Sequence, residues 1–381
     1  MDFDLTEEQR LLDETVRRVV KDEYAFEKRK AYKASPDGFS RKLWQSYADI
    51  GLLGLPFAES HGGFGGSAVE SMIVMESFGR GLVLEPYLAS VILAGGLVAA
   101  AGSAAQKQAI LPPLAAGKLM LAFAHGERQA RYALADVETR AERDGSGYVL
   151  SGEKGVVVHG DSADRLIVSA RTGGASRDTQ GISLFLVDRQ AAGVTVRGYP
   201  TVDGLRAAEI ALERVHVGTD ALLGRPGEAY GAIEHAVDRA IAALCAEAVG
   251  IMEVLNATTL EYLKTRKQFG VPIGQFQVLQ HRMAEMALEH EQAKSMAILA
   301  ALSADGTDAH ARRRVISAAK VQIGKSGRFI GQQAIQLHGG IGMTDEYAAG
   351  HYFKRLTMIA QSFGDEDHHL DRFAEVALPA A

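Results

Sequence analysis

The sequence predicts an α+β chain in three parts, helical, then β, then helical, and three observations carry that reading. Apolar residues recur at helical spacing up to about residue 118, and again beyond about residue 226. Between them, short β-rich runs follow one another closely, separated by Gly, Asp and Ser. Strands and helices do not alternate as βαβ units, and neither G-x-G-x-x-G nor G-x-x-x-x-G-K-[ST] occurs. A doubly wound nucleotide-binding sheet is therefore excluded, and any nucleotide cofactor must be held in another way. The predicted domains are 1–118, an N-terminal α-helical domain; 119–226, a central antiparallel β-domain; and 227–381, a C-terminal helical bundle.

In the first part, Thr6 and Gln9 have the spacing of a capping box, after which Leu11, Leu12, Val16, Val19 and Val20 mark one helix face. Further helices are expected near 40–53, 68–80, 87–102 and 105–116, with a Gly-rich turn at 61–66. The stretch 88–105 is the one segment apolar enough to raise a membrane span. Its Ala, Gly and Ser contribute little transfer free energy, and it reads as a buried helix. In the second part the runs LMLAFAH, YVLSG, GVVVH, RLIVSA, GISLFLVD, GVTVRG and AEIAL predict strands. In the third, long helices near 229–265, 277–303 and 308–338, and a shorter one near 350–361, are joined by brief loops and favour an up-and-down four-helix bundle.

Composition narrows the function. The 381 residues carry a net charge of −6, with 23% charged and 47% hydrophobic residues. That balance excludes a phosphate-tracking nucleic-acid binder and a disordered chain. Cys245 is the only cysteine, which rules out an internal disulfide and a Cys-built metal site and fits a reducing compartment. The acidic start MDFDLTEEQR is unlike a secretory signal, so a cytoplasmic location is expected.

Two stretches of the third part have the makings of an anion cradle. Thr265-Arg266-Lys267-Gln268-Phe269-Gly270 ends a long helix with a guanidinium, an amide and an aromatic ring, and Arg grips pyrophosphate through parallel hydrogen bonds. Gln336-Leu337-His338-Gly339-Gly340-Ile341-Gly342-Met343 sets glycines where backbone N–H groups approach a phosphate without a Cβ between. Taken singly, each stretch also reads as an ordinary helix C-terminus with Arg near the negative dipole end and a Gly stop.

Together, RKQFG and, about seventy residues later, QLHGGIGMTDEY resemble the acyl-CoA dehydrogenases, FAD enzymes that desaturate acyl-CoA thioesters. Leu52-Leu53-Gly54-Leu55-Pro56 with Glu59 and the 62–66 glycines is similar to the family's N-terminal signature, and Leu222-Leu223-Gly224 with Gly227-Glu228 to its β-to-helix junction. The resemblance implies the acyl-CoA dehydrogenase fold and covers essentially the whole chain. It implies that Arg266, Gln268 and Phe269 contact the FAD of a neighbouring subunit, with Phe276 and Gln277 nearby, and that Gln336, Gly339 and Gly340 hold its adenosine-diphosphate part. A dimer or tetramer and an electron-transfer flavoprotein as acceptor follow by the same resemblance.

Near the isoalloxazine the match thins. Where the family has a Thr-Glu-Pro-Gly-Ala-Gly-Ser-Asp-like run, this chain has 126–133, GERQARYA, in which Glu127 and Ala130 survive. The family's Trp-Ile-Thr appears as Val156-Val157-Val158, leaving Val158 as a main-chain flavin neighbour. His125 reads equally as a core histidine.

The catalytic base is the largest departure. Desaturation needs a carboxylate within hydrogen-bond reach of Cα. Phe363 stands where most family members have the Glu, and Ala240 where a minority place it. Asp238, Asp365, Glu366 and Asp367 lie close by in sequence, and the catalytic residue stays unassigned. The chain resembles the small subunits of pimeloyl-CoA-type and steroid side-chain heteromeric dehydrogenases, which implies a partner subunit that supplies the base. The alternatives are an autonomous homotetramer with a relocated carboxylate, and a non-catalytic assembly subunit. The run 365–371 reads as a helix cap, and no metal is expected.

Overall fold

The computed structural model describes residues 5–377. In chain order the elements are α1 (Glu7–Glu23), α2 (Phe26–Lys33), α3 (Arg41–Asp49), α4 (Ala68–Gly81), a π-helical stretch Tyr87–Gly95 running into α5 (Gly96–Ala101), and α6 (Ala104–Ala115). Then come β1 (Leu121–Ala124), β2 (Arg140–Asp144), β3 (Gly147–Val158), β4 (Arg165–Arg171), β5 (Ile182–Asp188), β6 (Val194–Pro200), β7 (Arg206–Gly218) and β8 (Leu222–Leu223). The chain finishes with α7 (Tyr230–Thr265), the hairpin β9 (Lys267–Gln268) and β10 (Val271–Pro272), α8 (Gln277–Ala304), α9 (Ala309–His338), α10 (Ala348–Gln361) and α11 (Glu366–Ala377). The predicted helix, β and helix order is the one observed.

Local chemistry explains the helix ends. Thr6 and Gln9 form the reciprocal capping box, Gln9 N–H donating to Thr6 Oγ1 at 3.2 Å and Thr6 N–H to Gln9 Oε1 at 3.0 Å. Ser103 and Gln106 repeat the device at α6.

The chain packs as two compact units. The bundle unit holds the chain up to Ala31, Ala68–Val83, and the chain from Ile241 onward; the sheet unit holds Tyr32–Ser67 and Leu84–Ala240.

In the sheet unit the strand order is β6-β7-β3-β2-β4-β5-β8, with β1 also pairing β4. Pairing is antiparallel except that β1 and β2 meet β4 in parallel. YVLSG and GVVVH are one strand, β3, which runs on through Glu153 and Lys154 with register shifts against β7 between Leu150 and Gly152 and between Lys154 and Val157. A core of Leu150, Leu166, Val168, Phe185, Ile210 and their neighbours packs on the sheet. At the end of β4, Arg171 donates to the carbonyls of Ala135 and Ser176 (both 2.7 Å), Gln180 (2.8 Å) and Asp178 (2.9 Å), so one guanidinium gathers two loops.

In the bundle unit, α4 and α7 cross at glycines. A Cβ on Gly79 would come within 2.0 Å of Glu247 O, and one on Gly250 within 1.9 Å of Glu76 O, so only glycine permits this approach. Buried charge is paired: Arg355 grips Glu247 with two bonds of 2.5 and 2.7 Å, and Arg80 bridges Glu76 and Glu253. A fifth helix, α11, follows the four expected in the bundle.

The 88–105 stretch is not the segment that meets the requirements of a membrane span. The helical stretch there, Tyr87–Ala101, is the shorter apolar one, whereas α7, with 36 residues, is long and apolar enough to cross a membrane. Of its most apolar window, 78% is buried inside the protein, as expected of a core helix.

Candidate functional site

The predicted residues of the third part gather at one end of the bundle unit. Just past α7, Arg266 closes the helix by donating its amide to Tyr262 O at 2.8 Å, and Ile273 N–H donates back to Arg266 O at 2.8 Å. The hairpin between pairs Gln268 with Val271 and Lys267 with Pro272. Its two turn residues, Phe269 and Gly270, have φ of +53° and +81°, the two left-handed residues of a type I′ turn. Asn-Gly is the usual choice there; a Phe costs about 1–2 kcal/mol. Phe269 is 91% exposed, with the Phe276 ring edge-on to its ring at 6.1 Å. Gln277, exposed, opens α8. The Gln268 amide donates to Lys267 O at 2.8 Å. The Arg266 guanidinium is exposed and has no hydrogen-bond or ion-pair partner among the described residues.

At the end of α9, Gly339 has φ +65° and ψ −142°, a conformation open essentially to glycine alone. A Cβ added at Gly339 or Gly340 would meet nothing within 4 Å, so both face open space, and Gln336 beside them is exposed. His338 ties this turn to the end of α7. Its ring lies 4.7 Å from that of Tyr262, its Nδ1 bonds Ala334 O at 2.7 Å, and Tyr347 Oη lies 3.1 Å from its Nε2. Arg266 is one helical turn beyond Tyr262, and Gly339 directly follows His338. This tie has no local sequence signal beyond His338 standing inside the QLHGG motif. Gly339 N–H is spent on Gln336 O and Ile335 O at the helix end, so the turn offers room for a phosphate rather than the free Gly339 amide expected from the sequence. A free guanidinium, an exposed amide and a glycine turn with no Cβ in the way suit the phosphates of a dinucleotide, and the residues present therefore fit FAD.

Glu127 and Val158 belong to the sheet unit. Glu127 does not present its carboxylate outward. It accepts Lys154 Nζ at 2.6 Å, the amides of Glu138 (2.7 Å) and Thr139 (3.1 Å), and Gln129 Nε2 (2.8 Å). Only its main chain is left for a ligand. Val156 and Val158 are 60% and 38% exposed, with Val157 buried between them. His125 is half-buried, stacked on Phe123 at 5.0 Å and bonded to Ser169 Oγ at 2.9 Å.

Two of the acids around the base positions, Asp365 and Glu366, have other work. Phe363 sits at φ +57° in a loop held by Lys320, which donates to Ala360 O (2.9 Å) and Gly364 O (2.8 Å), and by the His369 ring 3.1 Å from Phe363 O. Asp365 caps α11 through His368 N–H at 3.0 Å. Glu366 pairs with Arg328 at 2.8 Å and Lys325 at 3.4 Å. In the sheet unit, Ala240 and Asp238 are both fully buried.

Burial pushes the pKa of His125 and of His369 down to about 3. The folded values lie below the unfolded value of about 6.5, so stability is full above that pH and falls as pH drops toward 3. At pH 5 the fully buried His369 is expected to cost about 2 kcal/mol, and the half-buried His125 less. Urea midpoints at pH 7 and pH 5 check this, with a smaller acid loss in His369→Gln.

Three family models cover the chain: the acyl-CoA dehydrogenase N-terminal domain over 6–118, the middle domain over 122–215 and the C-terminal domain over 230–378. A probable acyl-CoA dehydrogenase of Bacillus subtilis, YngJ, is 32% identical over 352 residues, 91% of this chain and 92% of that protein. The ChsE4–ChsE5 complex of Mycobacterium tuberculosis contains a chain of similar structure, with TM-score 0.88, 26% identity and full coverage of both chains. An FAD complex of PigA matches with TM-score 0.90 and 28% identity over 98% of each chain.

Proposed function

The chain belongs to the acyl-CoA dehydrogenase family of flavin-linked oxidoreductases acting on CH–CH bonds, with FAD as cofactor, and from that premise we propose that it works as one subunit of a heteromeric assembly whose partner supplies the base. One observation carries the proposal: Phe363 and Ala240 occupy both places where the resemblance puts the proton-abstracting Glu, while Asp365 and Glu366 are committed to a cap and to ion pairs. Neither an aromatic ring nor a methyl group accepts a proton. The likeness to a two-protein complex, ChsE4–ChsE5, supports the same reading.

In this assembly Arg266 grips the pyrophosphate of a neighbouring subunit's FAD and the Gly339–Gly340 turn admits it, with Gln268, Phe269, Phe276, Gln277 and Gln336 around the adenosine part. The protruding Phe269 turn reaches the flavin of the neighbouring subunit. Main-chain groups near Glu127 and Val158 face the ring system. Bound FAD supplies the acceptor for the β-hydride. The α-proton goes to the partner subunit's carboxylate, and Cα and Cβ of the acyl-CoA become doubly bonded. The assembly is a tetramer of the cytoplasm, and an electron-transfer flavoprotein reoxidises it.

Native mass spectrometry of the chain, expressed alone and with a base-bearing family member, tests the assembly. A mixed tetramer carrying FAD is expected. A homotetramer that ignores the partner and desaturates acyl-CoA unaided overturns the proposal in favour of a relocated base, Asp238 or Glu366.

A further inference from the structure

The sheet unit buries a full ion pair that the desaturation chemistry does not use. Lys154 is 0% and Glu127 4% exposed at the side chain. All three ammonium donors are engaged: Glu127 Oε1 at 2.6 Å, Ser169 Oγ at 3.0 Å and His125 O at 3.3 Å. The carboxylate meanwhile accepts the amides of Glu138 and Thr139 and the side chain of Gln129, so it pins both ends of the loop that begins at Gly126. From the other side, Gly155 N–H donates to Gly126 O at 2.8 Å.

Lys154 also stands at the place where β3 loses register against β7. Two residues on, Val156 has φ +51°, a left-handed conformation that a β-branched side chain adopts only where its surroundings over-determine it. The bulge turns Val156 and Val158 outward and leaves Val157 inside. A buried ion pair is a poor device for stability, because desolvation offsets most of the attraction. Burial lowers the lysine's pKa only to about 8, and the adjacent ammonium and the donated hydrogen bonds outweigh desolvation and bring the carboxyl down to about 2, so both charges persist at neutral pH. What the pair does provide is a fixed geometry between two segments.

We infer that Lys154 is a positioning residue for the flavin ring system: through Glu127 it locks loop 126–133 to the bulge 155–158, so that the two surfaces beside the isoalloxazine hold one arrangement. The inference rests on the proposed flavin site.

Lys154→Met tests it, with Lys154→Met/Glu127→Gln as a neutral companion should the single variant fail to fold. In flavin-free protein, amide hydrogen exchange is expected to rise about tenfold or more in both 126–133 and 155–158. In the assembly, the visible flavin bands are expected to shift and flavin reduction by acyl-CoA to slow at least about tenfold, since a displacement near 1 Å costs about a hundredfold. FAD content should hold, because Arg266 and the Gly339 turn lie elsewhere. The neutral companion should show the same loosening in a folded protein. Unchanged exchange and an unchanged flavin spectrum beside a lowered melting temperature would make the pair structural only and overturn the inference, as would a companion that behaves like wild type in both. A wild-type assembly without flavin sinks the site reading itself, and is told apart by flavin content.

Discussion

Replacing Arg266 with alanine is expected to strip FAD from the assembly while leaving the fold intact. The guanidinium is exposed and engages no partner among the described residues, so its removal breaks no internal bond and should change stability by less than about 0.5 kcal/mol. Against a pyrophosphate it donates charge-assisted bonds, each worth about 1.5–3 kcal/mol. The expected loss is therefore about ten- to a hundredfold in FAD affinity, read by isothermal titration or by flavin retained after dialysis. Arg266→Lys should recover only part, since a point charge cannot reproduce a planar fork. Retention equal to that of wild type would show that the phosphates lie elsewhere.

Phe363→Glu is expected to give the FAD-loaded chain a turnover of its own. The backbone there is already left-handed and held by Lys320 and His369, so the substitution changes a side chain in a fixed loop. A correctly placed general base contributes about 10²–10⁴ in rate. Anaerobic mixing with acyl-CoA should bleach the variant's flavin at least about a hundredfold faster than that of the native chain alone. A native chain that bleaches as fast as the variant would mean that a carboxylate of its own already serves.

The helices were legible because their signals are local. Thr6 with Gln9, and the long apolar periods of α7, α8 and α9, place those elements to within a few residues. β2 was missed because four of its five residues, Arg140, Glu142, Arg143 and Asp144, are charged and only Ala141 is buried. β3 read as two runs because Glu153 and Lys154 interrupt its apolar pattern, and the partner that makes a buried lysine tolerable, Glu127, lies 27 residues away. The Arg171 cage depends on carbonyls of two other loops and has no local signal.

At the candidate site, the RKQFG and QLHGG motifs carried the nucleotide end, and glycine at 339 follows from its backbone angles. The left-handed strain at Phe269 and Val156 was invisible, since both are ordinary residues whose conformations are set by neighbours. The roles of Asp365 and Glu366 divide in the same way. The cap at Asp365 was readable from the turn, whereas the Glu366 ion pairs required α9 alongside.

The central claim is that this chain holds flavin yet lacks a base, and anaerobic titration with acyl-CoA tests it most directly. The absorbance of FAD bound to the chain alone should stay oxidised, and should bleach once a base-bearing partner subunit joins the assembly. Complete bleaching by the chain alone would contradict the account.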